Sequence, residues 1–231
     1  MEKKISGKLK MSIALITGIE GSCASYLAEY LLEQGLEVHG FARWHSATKN
    51  KNIEKIRQKI KRIECDLNDL SATIRSLKES KPDYIFHLAA HANVKVCFSN
   101  PIAVLENNIK NTINLFEAIR ILEYDPVVQH CSTSELYGII KKEDCPVSET
   151  FQLNPVNPYA VSKLTQEKIA SCYYHSFGIK VIITRTFAYI NPRRPEIFSS
   201  AFAKQIVEIE KGYRKTLVHG NLNSIRTLID V

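Results

Sequence analysis

Short, nearly apolar runs alternate along the chain with segments whose apolar residues recur at helical spacing. Residues 12–17 form the first run and end at Gly18. Over residues 21–34, Leu27, Tyr30 and Leu31 share one helical face, and Gly35 suits the left-handed position that closes a helix. Residues 37–41, 59–65, 83–88, 126–131 and 179–185 predict five further strands. Helices are predicted from Asn68 or Asp69 to Leu77, broken at Lys81-Pro82, and over residues 101–122, 159–177 and 198–212. Residues 49–62 read as a solvated helix surface, 138–156 and 191–195 as loops, and 216–218 as a short strand. Strand and helix in repeated alternation imply an α/β fold, a doubly wound parallel sheet covered on both faces with right-handed crossovers. The pattern changes after Arg185, so residues 12–185 are expected to form a nucleotide-binding domain. Residues 186–231 are expected to begin a truncated second domain.

Of 231 residues, 45% are hydrophobic and 24% charged, ordinary globular usage with no low-complexity tract. The first eleven residues are polar and basic and lack the apolar core of a signal peptide. No apolar run approaches the ~20 residues needed to cross a bilayer. The six cysteines are scattered without a close metal-binding pair, which fits a reduced cytoplasmic protein and no metal. The net charge of +7 is dispersed rather than gathered into a nucleic-acid face, and it favours an anionic small-molecule substrate.

Gly18-Ile19-Glu20-Gly21-Ser22-Cys23-Ala24 lies between the first strand and the first helix. Gly18 permits the tight turn, Gly21 lets backbone approach a pyrophosphate, and Ala24 is small enough for close helix packing. The second strand ends at Arg43 with no acidic residue to accept ribose hydroxyls. Arg43, with His45 or Lys49 nearby, instead suits the extra phosphate of NADP. Asp66, followed by Leu67, is placed to accept from an adenine amine or to cap a helix. Ala89 belongs to a small-residue strand end that leaves room for a cofactor.

Ser132-Thr133-Ser134-Glu135 follows the fifth strand, and Tyr159 and Lys163 stand four residues apart on one helix face. An ammonium beside a phenol lowers the phenol pKa from its ordinary value near 10, so Tyr159 can exchange a proton with a carbinol or keto oxygen. Thr133 can orient that oxygen, while a nicotinamide carries the redox step. Glu135 can act as base or acid toward the carbon beside a new ketone, or merely brace the loop.

These residues resemble the extended short-chain dehydrogenase/reductase family over nearly the whole chain after Ser12. Within that family, residues 132–138, 191–194, 25–29 and 93–96 look like GDP-mannose 4,6-dehydratases. Residues 146–149, 158–163 and 202–206 look more like the sister GDP-4-keto-6-deoxymannose reductases. The resemblance implies a Rossmann fold, NADP as cofactor, a nucleotide-sugar substrate and a homo-oligomer. It also implies that Ser134, Arg193, Asn221 and Arg226 hold the substrate. The chain departs from the family at Ala188, Tyr189, Cys97, Asn111 and Thr227. Dehydration, reduction, reaction on another nucleotide sugar and a non-catalytic homologue therefore all stay open.

Overall fold

The structure is a computed structural model and describes residues 11–223, 225 and 227–231. Six strands run parallel in the order β3-β2-β1-β4-β5-β6: β1 (Ile13–Thr17), β2 (Glu37–Ala42), β3 (Lys61–Glu64), β4 (Tyr84–His87), β5 (Val127–Thr133) and β6 (Val181–Thr186). The order reverses direction between β1 and β4, where a doubly wound sheet opens its binding crevice. Helices α1 (Ser22–Glu33), α2 (Leu70–Ser80), α4 (Pro101–Ile121) and α5 (Pro158–Phe177) make the crossovers, with a short α3 (Val94–Ser99) before α4.

The sheet builds two cores. On one face, Leu15, Phe41, Ile85 and Val128 meet Leu77, Leu115, Phe116 and Ile119. On the other, Ala14, Ile16 and Val38 meet Ala24, Ala28 and Leu31 of α1. Burying each large aliphatic side chain contributes about 1.5–3 kcal/mol, and the central strands alternate such residues between the two faces. Residues 49–62 depart from expectation. Trp44–Ile56 is a run of 3₁₀ turns, and Ile53, Ile56 and Ile60 are buried against Ile19 and Ala42. This segment is one wall of the core, not merely a solvated surface.

Two more strands, β7 (Ala188–Ile190) and β8 (Leu228–Asp230), pair in parallel, and α6 (Phe198–Glu210) lies between them. The strand expected at residues 216–218 does not form. The Gln205 side chain takes its place as partner. It donates to the Val218 carbonyl at 3.1 Å and accepts the Val218 amide at 2.8 Å, satisfying that backbone without a ladder. Among the described residues, no helix is long and apolar enough to cross a membrane.

Candidate active site

The turn from β1 to α1 needs glycine. Gly18 has φ of 70°, and a Cβ there would meet Ala89 Cα at 3.2 Å. The amides of Gly18 and Ile19 both donate to the Phe41 carbonyl, at 2.9 and 3.2 Å. Thr17 Oγ1 accepts the Leu88 and Ala89 amides at 3.1 and 3.0 Å, and Asn111 Nδ2 donates to the Ala89 carbonyl at 3.1 Å. The glycine loop and the small-residue end of β4 are thus stitched into one shallow cradle. Gly21 caps α1 without any side-chain hydrogen bond, leaving its first-turn amides and positive end for an anion. Ala24 is buried beneath. A side chain at Gly18 would fill the cradle, and its donors are backbone amides, so these residues fit a dinucleotide pyrophosphate.

At the rim, Arg43 is exposed just after β2, and Arg62 Nη2 donates to its carbonyl at 3.4 Å. Asp66 is exposed, and its Oδ1 accepts the Asn68 amide at 2.9 Å, a local turn. The helix cap falls to Asp69, whose Oδ1 accepts the Ala72 amide. Leu67 is buried and its carbonyl accepts Asn114 Nδ2 at 2.7 Å. The side chains of His45 and Lys49, and Arg226, lie outside the described residues.

At the carboxyl end of β5, Thr133, Glu135, Tyr159 and Lys163 converge. Thr133 Oγ1 accepts the Glu135 amide at 3.3 Å. Tyr159 and Lys163 are 8% and 3% exposed, in the first turns of α5. The expected pairing of phenol and ammonium is not the one adopted. Lys163 Nζ donates to the Cys131 carbonyl at 2.6 Å, and burial drives its pKa below the ordinary lysine value. Burial and the Cys131 thiol push the Tyr159 phenol up, against the opposing hydrogen bond with Thr133 and the charge of Arg194. Desolvation is the larger force, because both groups lie on the buried face of α5 and Cys97 and Val104 pack with the Tyr159 ring.

Two other groups at the site were not singled out in the sequence. Asn157 is the N-cap of α5: its Oδ1 accepts the Ala160 amide at 2.8 Å while its Nδ2 donates to Glu135 Oε2 at 3.1 Å. One side chain therefore fixes both the helix carrying Tyr159 and the carboxylate. Its signal is legible as Asn-Pro at a helix start, the preferred cap before a first-turn proline. Arg194 donates to the Ala92 carbonyl at 2.8 Å and acts electrically on Tyr159, Tyr189 and Cys23.

Its neighbour Arg193 turns away. Its guanidinium forks onto both oxygens of Glu29 at 2.8 Å, reaches Ser25 Oγ at 2.9 Å and lies 3.8 Å over the Tyr26 ring. It braces α1, in contrast to the substrate contact that the resemblance implies. Ser134 is half-buried beside Thr133. Asn221 is exposed and accepts the Asn223 amide in a turn, apart from this cluster.

Comparison with known proteins assigns the chain to a family. The model of the GDP-mannose 4,6 dehydratase family matches residues 15–231. The GDP-mannose 4,6-dehydratase of Yersinia enterocolitica is 37% identical over 226 residues, covering 94% of this chain and 60% of that protein. Among solved structures, a dTDP-glucose 4,6-dehydratase from Streptomyces venezuelae with NAD bound superposes with a TM-score of 0.83 at 25% identity, covering 94% of this chain and 68% of that one. A Thermus thermophilus UDP-glucose 4-epimerase in complex with NAD gives 0.81 at 29%, covering 94% and 70%. The chain spans about 60% of the length of the curated relatives it matches. With a doubly wound sheet, a glycine cradle at its switch point and a Thr-Glu-Tyr-Lys cluster beyond β5, this chain belongs to the GDP-mannose 4,6-dehydratase family.

Proposed function

We propose that the whole protein converts GDP-mannose to GDP-4-keto-6-deoxymannose with loss of one water, using NADP that it regenerates. The observation that carries this reading is the convergence of Thr133, Glu135 and Tyr159 at the end of β5, with Asn157 tying the carboxylate to the helix that bears Tyr159 and Lys163. The names of the curated relatives support the same chemistry.

Gly18, Gly21, Ala24 and the uncapped first turn of α1 would hold the cofactor's pyrophosphate. Arg43 would meet a 2′-phosphate, Asp66 and Leu67 would border the adenine, and Ala89 would leave space along its length. A bound nicotinamide would supply the hydride acceptor for sugar C4 and the hydride donor for C6. Tyr159 takes the proton from the C4 hydroxyl, and Thr133 Oγ1 hydrogen-bonds that oxygen. Glu135 then removes the proton from C5, beside the new carbonyl, and passes it to the C6 hydroxyl, which leaves as water; when hydride reaches C6, the proton held by Tyr159 is returned to C5. Burial favours the protonated phenol, so the relay needs Lys163 to swing from the Cys131 carbonyl toward the phenol. Ser134, Asn221 and Arg226 are assigned to the sugar nucleotide, whose binding domain begins at residue 186. Arg193 is assigned to bracing.

The test is incubation of the full-length protein with GDP-mannose and no added nucleotide, read by mass. A product lighter by one water is expected. Tyr159→Phe should keep cofactor affinity and lower turnover by about 10²–10⁴-fold. Inertness toward GDP-mannose, with NADPH consumed on the 4-keto sugar, would replace dehydration by reduction.

A further inference from the structure

The chain has a single tryptophan, Trp44, and it is 69% exposed at the end of β2, next to Arg43. The residues on either side of it in sequence are fastened to the glycine loop. Arg62 reaches across from β3, its Nε on Glu20 Oε1 at 2.8 Å and its Nη2 on the Arg43 carbonyl at 3.4 Å. Asn52, in the 3₁₀ run that Trp44 begins, donates to the Glu20 carbonyl at 3.0 Å. Ile53 and Ile56 of that run are buried with Ile19 of the loop. Gly40, four residues before Trp44, packs so closely under Ile19 that a Cβ would sit 2.5 Å from Ile19 Cβ. The glycine loop, Arg43 and the start of the 3₁₀ run therefore form one rigid corner, and its rim presents a large planar side chain beside a cation.

A planar aromatic next to a guanidinium suits a ligand that carries both a purine face and an anion. We infer that Trp44 stacks against the adenine of the bound dinucleotide while Arg43 takes its 2′-phosphate. The inference rests on the cofactor reading proposed above. It adds a residue that sets affinity for the adenosine end and takes no part in the proton chemistry. Because the indole is unique, its fluorescence reports occupancy of that end alone.

The probe is 2′,5′-ADP, which has the adenine and the 2′-phosphate but no nicotinamide and does not absorb indole emission. Titration into the full-length protein, freed of bound nucleotide, should give calorimetric binding and a saturable change in tryptophan emission with the same midpoint. Trp44→Leu should weaken the calorimetric affinity about tenfold or more, within the range of one base–aromatic stack, and Trp44→Phe should restore most of it. Heat of binding with unchanged emission, and an unaltered affinity in Trp44→Leu, would overturn the role of Trp44 and leave the cofactor reading intact. No binding of 2′,5′-ADP, NADP or NAD by the wild-type protein would overturn the cofactor reading and this inference with it.

Discussion

Asn157 shows how one side chain can set both a helix and a reaction. Asn157→Ala would remove the cap of α5, a loss of about 1 kcal/mol, and with it the hydrogen bond that holds Glu135. Asn157→Asp separates the two roles. An aspartate still accepts the Ala160 amide, so the melting temperature should stay near wild type. It also sets a second carboxylate against Glu135, and like charges raise the pKa of one of the pair. A base must be ionised to work, so the acid limb of the pH–rate profile should move to higher pH and turnover at neutral pH should fall. An unchanged profile would remove Glu135 from the role of base. That Thr133, Glu135, Tyr159 and Lys163 meet at one strand end was legible in the sequence, because their spacing on strand and helix fixes where their backbones go. The direction of the Tyr159 pKa was not, since it depends on how much of the phenol is buried. Nor was the fate of Arg193, because its partners Ser25, Tyr26 and Glu29 lie more than 160 residues away.

At the scale of elements, a buried polar network joins β1, β4, α4 and α5. His87 on β4 is 1% exposed, with Nδ1 2.9 Å from Thr17 Oγ1 and Nε2 2.9 Å from Thr112 Oγ1. Thr17 Oγ1 already accepts two amides, so its hydroxyl donates to Nδ1 and the ring proton sits on Nε2. Thr112 also receives Gln166 of α5 at 2.6 Å, and Asn108 of α4 donates to Ser162 of α5 at 2.9 Å. Burial, then the nearby Lys163 charge, lowers the His87 pKa to about 3. A folded pKa below the unfolded value of 6.5 means that the contribution to stability is complete above pH 6.5 and lost as pH falls through about 3. His87→Gln should therefore flatten the acid limb of a urea-melt series between those two pH values. A limb as steep as wild type would show that His87 does not drive acid unfolding.

The strands and long helices were legible as apolar runs and helical periodicity. The elements that escaped were short ones, α3, β7 and β8, and the misplaced strand at residues 216–218, where a side chain replaces a ladder. Their six or fewer residues carry too little pattern to set a period.

Over the whole molecule, order concentrates where the sheet is two-faced. Strands β1 and β2 bury residues on both sides, whereas Ile182 and Ile183 on β6 are 56% and 37% exposed and α6 buries no residue. Sheet order explains why the glycine cradle and the Thr133 cluster face the same crevice. β4 lies between β1 and β5, so the loop after β1 and the end of β5 sit two strand spacings apart, about 10 Å. On the proposed reading, that span would take a pyrophosphate at one end and a proton relay at the other, across the switch point. The pattern of strands and helices along the chain foretold this sheet. It could not foretell which neighbouring loops would be stitched together, since those bonds join Thr17 to Leu88 and Arg62 to Glu20 across distant sequence.

The central claim is that one site removes hydride from C4, eliminates water and returns the same hydride to C6. Its most direct measurement uses GDP-mannose carrying deuterium at C4, turned over by the full-length protein in ordinary water with no added nucleotide. A 4-keto-6-deoxy product with deuterium at C6, read by nuclear magnetic resonance, is expected. Product lacking the label at C6, or label still at C4, would contradict it.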